Sequence, residues 1–139
     1  MLRVKREARV AVVTHAAPRP PVLLVEDDPD LRGAMAEALR DEGYEVALAL
    51  NGEEGLRWLS VFGAPCLVLL DLETPLVGGH GLLERLRADA RFAKARVVGL
   101  TGDPQPVPPG VAGLLRKPVR LETLLAAVKR HCPKPEADG

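Results

Sequence analysis

APCLVLLDLETPLVGGHG, residues 64 to 81, carries an unbroken apolar run, Leu67 to Leu70, that stops at Asp71. Pro75 and the glycine pair Gly78 and Gly79 follow. A short apolar run bounded by Pro and by a Gly-rich loop reads as a core strand of a parallel sheet, buried on both faces. Ligand sites in such sheets lie outside the carboxyl ends of the strands. Asp71 therefore stands where chemistry is expected, unless it merely caps the loop after the strand, and the rest of the chain decides between these.

Working outward, PVLLVEDDPDLRGAMAEALRDEGYEV from Pro21 repeats the pattern. Val22 to Val25 form a second fully apolar strand, which ends in Glu26, Asp27 and Asp28. Asp28 followed by Pro29 predicts a helix entry, with Asp28 as N-cap and Pro29 in the first helical position. Leu31, Met35, Ala38 and Leu39 recur at helical spacing, and Gly43 closes the helix. Tyr44 to Leu50 alternates weakly as a strand, and Asn51 caps a helix bearing Leu56, Trp58 and Leu59. After Asp71 a helix is expected from about Gly81 to Ala88, with Leu82, Leu83 and Leu86 on its buried face. RVVGLTGDP from Arg96 supplies a fourth strand and GLLRKPV from Gly113 a fifth, and a last helix is expected over Leu121–His131.

Alternating strands and helices imply right-handed crossovers and a parallel sheet covered on both faces. The expected class is α/β, a flavodoxin-like doubly wound five-stranded sheet of order 2-1-3-4-5, which sets the first and third strands side by side. That order brings Glu26 and Asp27 next to Asp71. Residues 21–131 form the domain, between an N-terminal extension, 1–20, and a C-terminal tail, 132–139. The extension is basic, then apolar, then proline-broken, and reads as a flexible or loosely docked arm with an edge strand at Val10 to Val13.

The 139 residues suffice for one core but not for a second domain, so a stand-alone module is expected. Formal net charge is zero and aromatics are 3%, which offers no electrostatic or stacking basis for binding nucleic acid or a membrane surface. No apolar run approaches the roughly 20 residues of a membrane span. Cys66, assigned to core packing, and Cys132 suit a reducing, cytoplasmic setting better than a disulfide scaffold.

Three carboxylates gathered at one sheet edge repel by about 4 kcal/mol per pair at 4 Å and an effective dielectric near 20. Lys117 supplies one compensating charge, and a divalent cation would supply two more. Hard oxygen ligands favour Mg²⁺ over zinc, whose Cys and His ligands the motif lacks. Thr101 adds a hydroxyl and Gly102 a backbone N–H. A carboxylate nucleophile, a cation, a lysine and a hydroxyl together make a phosphoryl site.

VLLVEDDP, LVLLDLETP with its following Gly pair, GLTG and LLRKPV, in that order, resemble the receiver domain of two-component response regulators over roughly residues 21 to 131. Receiver domains have the same strand order, so the resemblance and the pattern of elements imply one fold. The resemblance implies that Asp71 is the phosphoacceptor, and that Glu26, Asp27, Asp71 and the backbone carbonyl of Glu73 hold Mg²⁺. It also implies that Thr101 is the switch hydroxyl, that Lys117 pairs with the phosphoryl group, and that Pro118 follows a cis peptide bond. The donor would be a histidine kinase or histidine phosphotransfer protein, and the output a surface change read by a downstream protein. Such a domain catalyses its own modification and is not a conventional enzyme.

The chain departs from that family between Thr101 and Lys117, where TGDPQPVPPGVAGLLRK contains Pro104, Pro106, Pro108 and Pro109. Each interior proline costs a helix about 3 kcal/mol, so the family's fourth helix should be missing or reduced. Leu114 stands where the family usually has a rotating Tyr or Phe. The loop could serve as a partner site or expose an edge for dimerisation, although a plain loop is the simpler reading. These departures motivate an alternative, a pseudo-receiver that binds partners without switching. A phosphohydrolase of the haloacid dehalogenase type fits less well, because that motif wants Asp at position 73 and Thr or Val at 75. Glu73 and Asp103 should sit at the pocket mouth, whereas His80, Arg32, Arg85 and Arg87 read as solvated, and His15 and His131 lack a ligand pattern.

Overall fold

The computed structural model describes residues 20–74, 79–103 and 105–133, with Gly79 and His80 by backbone alone. In chain order the elements are β1 (Val22–Val25), α1 (Pro29–Asp41), β2 (Val46–Ala49), α2 (Gly52–Phe62), β3 (Leu67–Asp71), α3 (Gly79–Ala88), β4 (Val97–Thr101), β5 (Gly113–Arg116) and α4 (Leu121–His131). The sheet is parallel throughout, in the expected order β2-β1-β3-β4-β5.

Strand side chains alternate between the two faces, and the core divides accordingly. Val22, Leu24, Leu67, Leu69, Val98 and Leu100 pack with Met35 and Leu39 of α1 and Leu124 and Val128 of α4. Leu23, Val25, Val68, Leu70 and Val97 pack with Leu59 of α2 and Leu82 and Leu86 of α3. β1, β3 and β4 are buried at every position, which is why their sequences read as continuous apolar runs.

Helix entries follow the local chemistry. The Asp28 carboxylate accepts from the N–H of Asp30 at 2.9 Å and of Leu31 at 3.4 Å, with Pro29 opening α1. Asn51 caps α2 through the Glu54 N–H at 2.9 Å, while the Glu54 carboxylate reaches back to the Leu50 N–H at 2.7 Å.

Between β4 and β5 the described residues form no helix. They run as a proline-containing loop and turn at Gly110, whose φ of 88° suits glycine. The loop is anchored by Val111, buried against the α2 and α3 layer, and by the Ala112 N–H donating to Val97 O at 2.7 Å.

The cysteines overturn a sequence expectation. Cys66 and Cys132 are joined as a disulfide, with Cα atoms 5.8 Å apart, instead of standing as separate reduced thiols. Cys66 lies just before β3 and Cys132 just after α4, so the bond ties the strand's start to the last helix, at the sheet end remote from Asp71. The fold brings them together: Leu124 and Val128 of α4 share a buried cluster with Leu67 and Leu69 of β3, and Cys132 belongs to this cluster, against which Cys66 packs. The proposed edge strand at Val10 to Val13, the extension up to residue 19, Pro75 to Gly78, Pro104 and the tail from residue 134 lie outside the described residues.

Candidate functional site

Asp71 is the last residue of β3, and its neighbours across the sheet are the ends of β1 and β4. Glu26 follows β1 directly and is buried, with its N–H donating to Ala49 O at 3.1 Å. Asp27 is next and is exposed. Thr101 ends β4 and is also buried. Lys117 comes just after β5, where its N–H donates to Thr101 O at 2.8 Å and continues the strand pairing. All the side chains expected at the site are thus delivered by strand ends at one sheet edge.

The lysine is the hub. Its Nζ lies 3.0 Å from Asp71 Oδ2 and 3.1 Å from Glu26 Oε1. Asp71 Oδ1 accepts from the Glu73 N–H at 3.0 Å, so hydrogen bonds hold both carboxylate oxygens in place. Glu26 Oε2 accepts from the Asp28 N–H at 3.1 Å. Burial and, secondarily, the nearby Asp71 charge push the Glu26 carboxyl up to about 6, against the opposing pull of the Asp28 N–H and Lys117. Burial alone would draw Lys117 down, but the hydrogen bonds and charges of Asp71 and Glu26 outweigh it and hold its ammonium above the ordinary lysine range.

Glu26, Asp27 and Asp71 each present an oxygen, all within 4.8 Å of one another. Glu26 Oε1, although ion-paired to Lys117, is buried and aligned with no hydrogen-bond donor. An all-oxygen set with an under-satisfied anionic atom is the donor chemistry of a hard divalent cation. These residues could therefore hold one.

Several contacts were not visible in the sequence. Arg32, expected to be solvated, donates from Nη1 to Glu26 O at 2.9 Å and to Asp27 O at 3.3 Å, and so braces the acidic loop. The Gln105 amide donates to Thr101 Oγ1 at 2.9 Å. The Glu73 carboxylate accepts from Thr101 Oγ1 at 2.7 Å and from the Gly102 N–H at 3.0 Å. Arg85 and Arg87 are exposed, as expected. The Lys117–Pro118 peptide bond is cis, as the resemblance implied.

The family model described as the response regulator receiver domain matches residues 22–129. The chain belongs to the receiver family. Among curated relatives of this receiver, the response regulator Rre1 of Synechocystis is 36% identical over 125 residues, covering 85% of this chain and 54% of Rre1. The DNA-binding dual master transcriptional regulator RpaA of Synechocystis is 34% identical, covering 79% of this chain and 48% of RpaA. The receiver therefore spans about half the length of the curated relatives it matches. Among solved structures, the chemotaxis protein CheY4 of Vibrio cholerae is 27% identical with a TM-score of 0.75, covering 82% of this chain and 99% of CheY4. A putative response regulator of Chloroflexus aurantiacus is 25% identical with a TM-score of 0.76, covering 84% of this chain and 100% of its own. Among the described residues of this receiver, no helix is long and apolar enough to cross a membrane.

Proposed function

We propose that this receiver accepts a phosphoryl group on Asp71 in a Mg²⁺-dependent reaction, from a histidine kinase or histidine phosphotransfer protein. The observation that carries the reading is the meeting of Asp71, Lys117, Glu26 and Asp27 at one edge, with Lys117 Nζ 3.0 Å from Asp71 Oδ2. An Asp71 oxygen attacks phosphorus as the P–N bond of the donor phosphohistidine breaks. The imidazole nitrogen keeps that electron pair, and the product is an acyl phosphate.

Glu26, Asp27, Asp71 and the Glu73 carbonyl would hold Mg²⁺, which when bound neutralises charge on the phosphoryl oxygens. Lys117 is already paired with Asp71 and is placed to follow the oxygen that becomes part of the acyl phosphate. Thr101 Oγ1–H and the Gly102 N–H, both of which donate to the Glu73 carboxylate, are the donors that a phosphoryl group on Asp71 would take up. The domain then acts on its own aspartate and not as a conventional enzyme, and its altered surface is read by a downstream protein.

The described residues between β4 and β5, which form no helix, favour, as a second reading, a pseudo-receiver that binds partners without switching by phosphorylation. Incubation with Mg²⁺ and acetyl phosphate or phosphoramidate, followed by mass spectrometry of the intact protein, decides between them. The first reading expects one phosphoryl adduct that disappears in Asp71→Asn and on chelation of the metal. Absence of any adduct on the unaltered protein favours the second.

A further inference from the structure

The Glu73 carboxylate spans two hydrogen-bond donors, the Thr101 hydroxyl at 2.7 Å and the Gly102 N–H at 3.0 Å. A hydroxyl has one proton and two lone pairs. The lone pairs of Thr101 Oγ1 already accept from the Asp103 N–H at 3.1 Å and from Gln105 Nε2 at 2.9 Å. Its proton has two acceptors in reach, Glu73 Oε2 at 2.7 Å and Asp103 O at 3.1 Å, and the shorter contact to a charged oxygen holds it. Thr101 therefore has no donor to spare. Its hydroxyl is saturated, and Glu73 holds the two donors a phosphoryl group on Asp71 would use.

We propose that the Glu73 carboxylate is an internal competitor for the phosphoryl-binding donors Thr101 Oγ1–H and Gly102 N–H, so that phosphorylation of Asp71 must expel Glu73. This rests on the phosphoacceptor reading and assigns the Glu73 side chain a role apart from its backbone carbonyl. Two features make the exchange feasible. Glu73 is exposed, so its side chain can rotate to solvent without unpacking the core. Its own N–H stays on Asp71 Oδ1 at 3.0 Å, so the backbone need not move with the carboxylate.

The consequence concerns what moves. Thr101 is drawn toward an anion before any phosphorylation, so the group displaced is Glu73 and not the threonine. Leu114, which with Leu72 fills the space over Gly99, then need not rotate for the modification to be felt at the surface. The released anion appears at the loop following β3 instead. Glu73 is thus a positioning residue whose exchange for a phosphoryl group marks the modified state.

The test compares the full chain with Glu73→Ala and Glu73→Gln. It follows the initial rate of adduct formation with phosphoramidate and Mg²⁺ by mass spectrometry, and the Gly102 amide resonance by NMR. Removing the competing anion should raise the labelling rate of Glu73→Ala by about tenfold, the order of one charge-assisted hydrogen bond, with Glu73→Gln between it and the unaltered chain. The Gly102 resonance should move in unphosphorylated Glu73→Ala while resonances of β1 and β3 stay in place, which also reports an intact fold. Equal labelling rates in all three proteins overturn the competition and leave the phosphoacceptor reading standing. Failure of the unaltered chain and Glu73→Ala alike to take any label overturns that reading, and the competition with it.

Discussion

Lys117 Nζ stands 3.0 Å from Asp71 Oδ2 although 46 residues separate them, because β3 and β5 both flank β4 and end at the same edge. Lys117 also faces Glu26, so it is the cation that allows two buried carboxylates to coexist. Lys117→Met should therefore destabilise the metal-free protein. Removing one member of a fully buried pair costs about 3–5 kcal/mol, but the lysine is 25% exposed, so solvent screening lowers the expected loss to about 2 kcal/mol. Urea unfolding at pH 7.5 measures this. An unchanged midpoint would show that the lysine is dispensable to the acidic cluster.

The Glu26 carboxyl, pushed up to about 6 from an ordinary 4.5, makes stability depend on pH. The native state binds this proton more tightly than the unfolded chain does, so the favourable contribution is complete below pH 4.5 and is lost as pH rises through 6. The loss by pH 7.5 is about 2 kcal/mol, from 1.36 kcal/mol per pH unit. A divalent cation needs the ionised form, so Mg²⁺ should raise the thermal midpoint more at pH 8 than at pH 5. Glu26→Gln should flatten the pH dependence of the metal-free protein and remove the response to Mg²⁺. Thermal unfolding at both pH values, with and without the cation, checks each part.

The strands were legible because burial on both faces writes itself as an uninterrupted apolar run, as in Val22 to Val25 and Leu67 to Leu70. The convergence of the candidate residues was legible for a related reason: charged residues that stop such runs must lie at the sheet edge, and the parallel order brings those edges together. Proline spacing excluded a helix after Thr101 without reference to tertiary structure. What escaped depended on contacts that periodicity does not encode. Cys66 and Cys132 are 66 residues apart and meet only because α4 lies across the sheet. Arg32 turns back to backbone carbonyls six and five residues earlier, and the Glu73 and Gln105 side chains converge on one hydroxyl. Each is set by loop conformation and rotamer, where sequence pattern is silent.

The disulfide closes a loop of 66 residues, and the chain-entropy relation for that length gives a stabilisation of about 4 kcal/mol. Reduction, or the paired change Cys66→Ser with Cys132→Ser, should lower the urea midpoint accordingly. Because the bond lies at the sheet end opposite Asp71, adduct formation by folded protein should be little affected. Thiol titration of the denatured, unreduced chain checks the premise. Two free thiols, with a midpoint indifferent to reductant, would remove it.

Gly99 sits in the middle of β4, two residues before Thr101, and a Cβ placed there would lie 2.8 Å from Leu114 Cδ2 and 3.2 Å from Leu72 Cδ1. The first distance is too short, so Gly99→Ala requires the end of Leu114 to shift. In a strand, alanine would otherwise gain from reduced backbone entropy in the unfolded chain. Overpacking should outweigh that gain and leave a net loss of about 1 kcal/mol. Trimming the neighbour reverses the balance: in a Leu114→Ala background the new methyl enters vacated space, and Gly99→Ala should become neutral or stabilising. The coupling between the two changes, about 1 kcal/mol or more in a double-mutant cycle, separates local crowding from a general intolerance of β4 to substitution. Additive effects would mean that Leu114 is not what confines position 99.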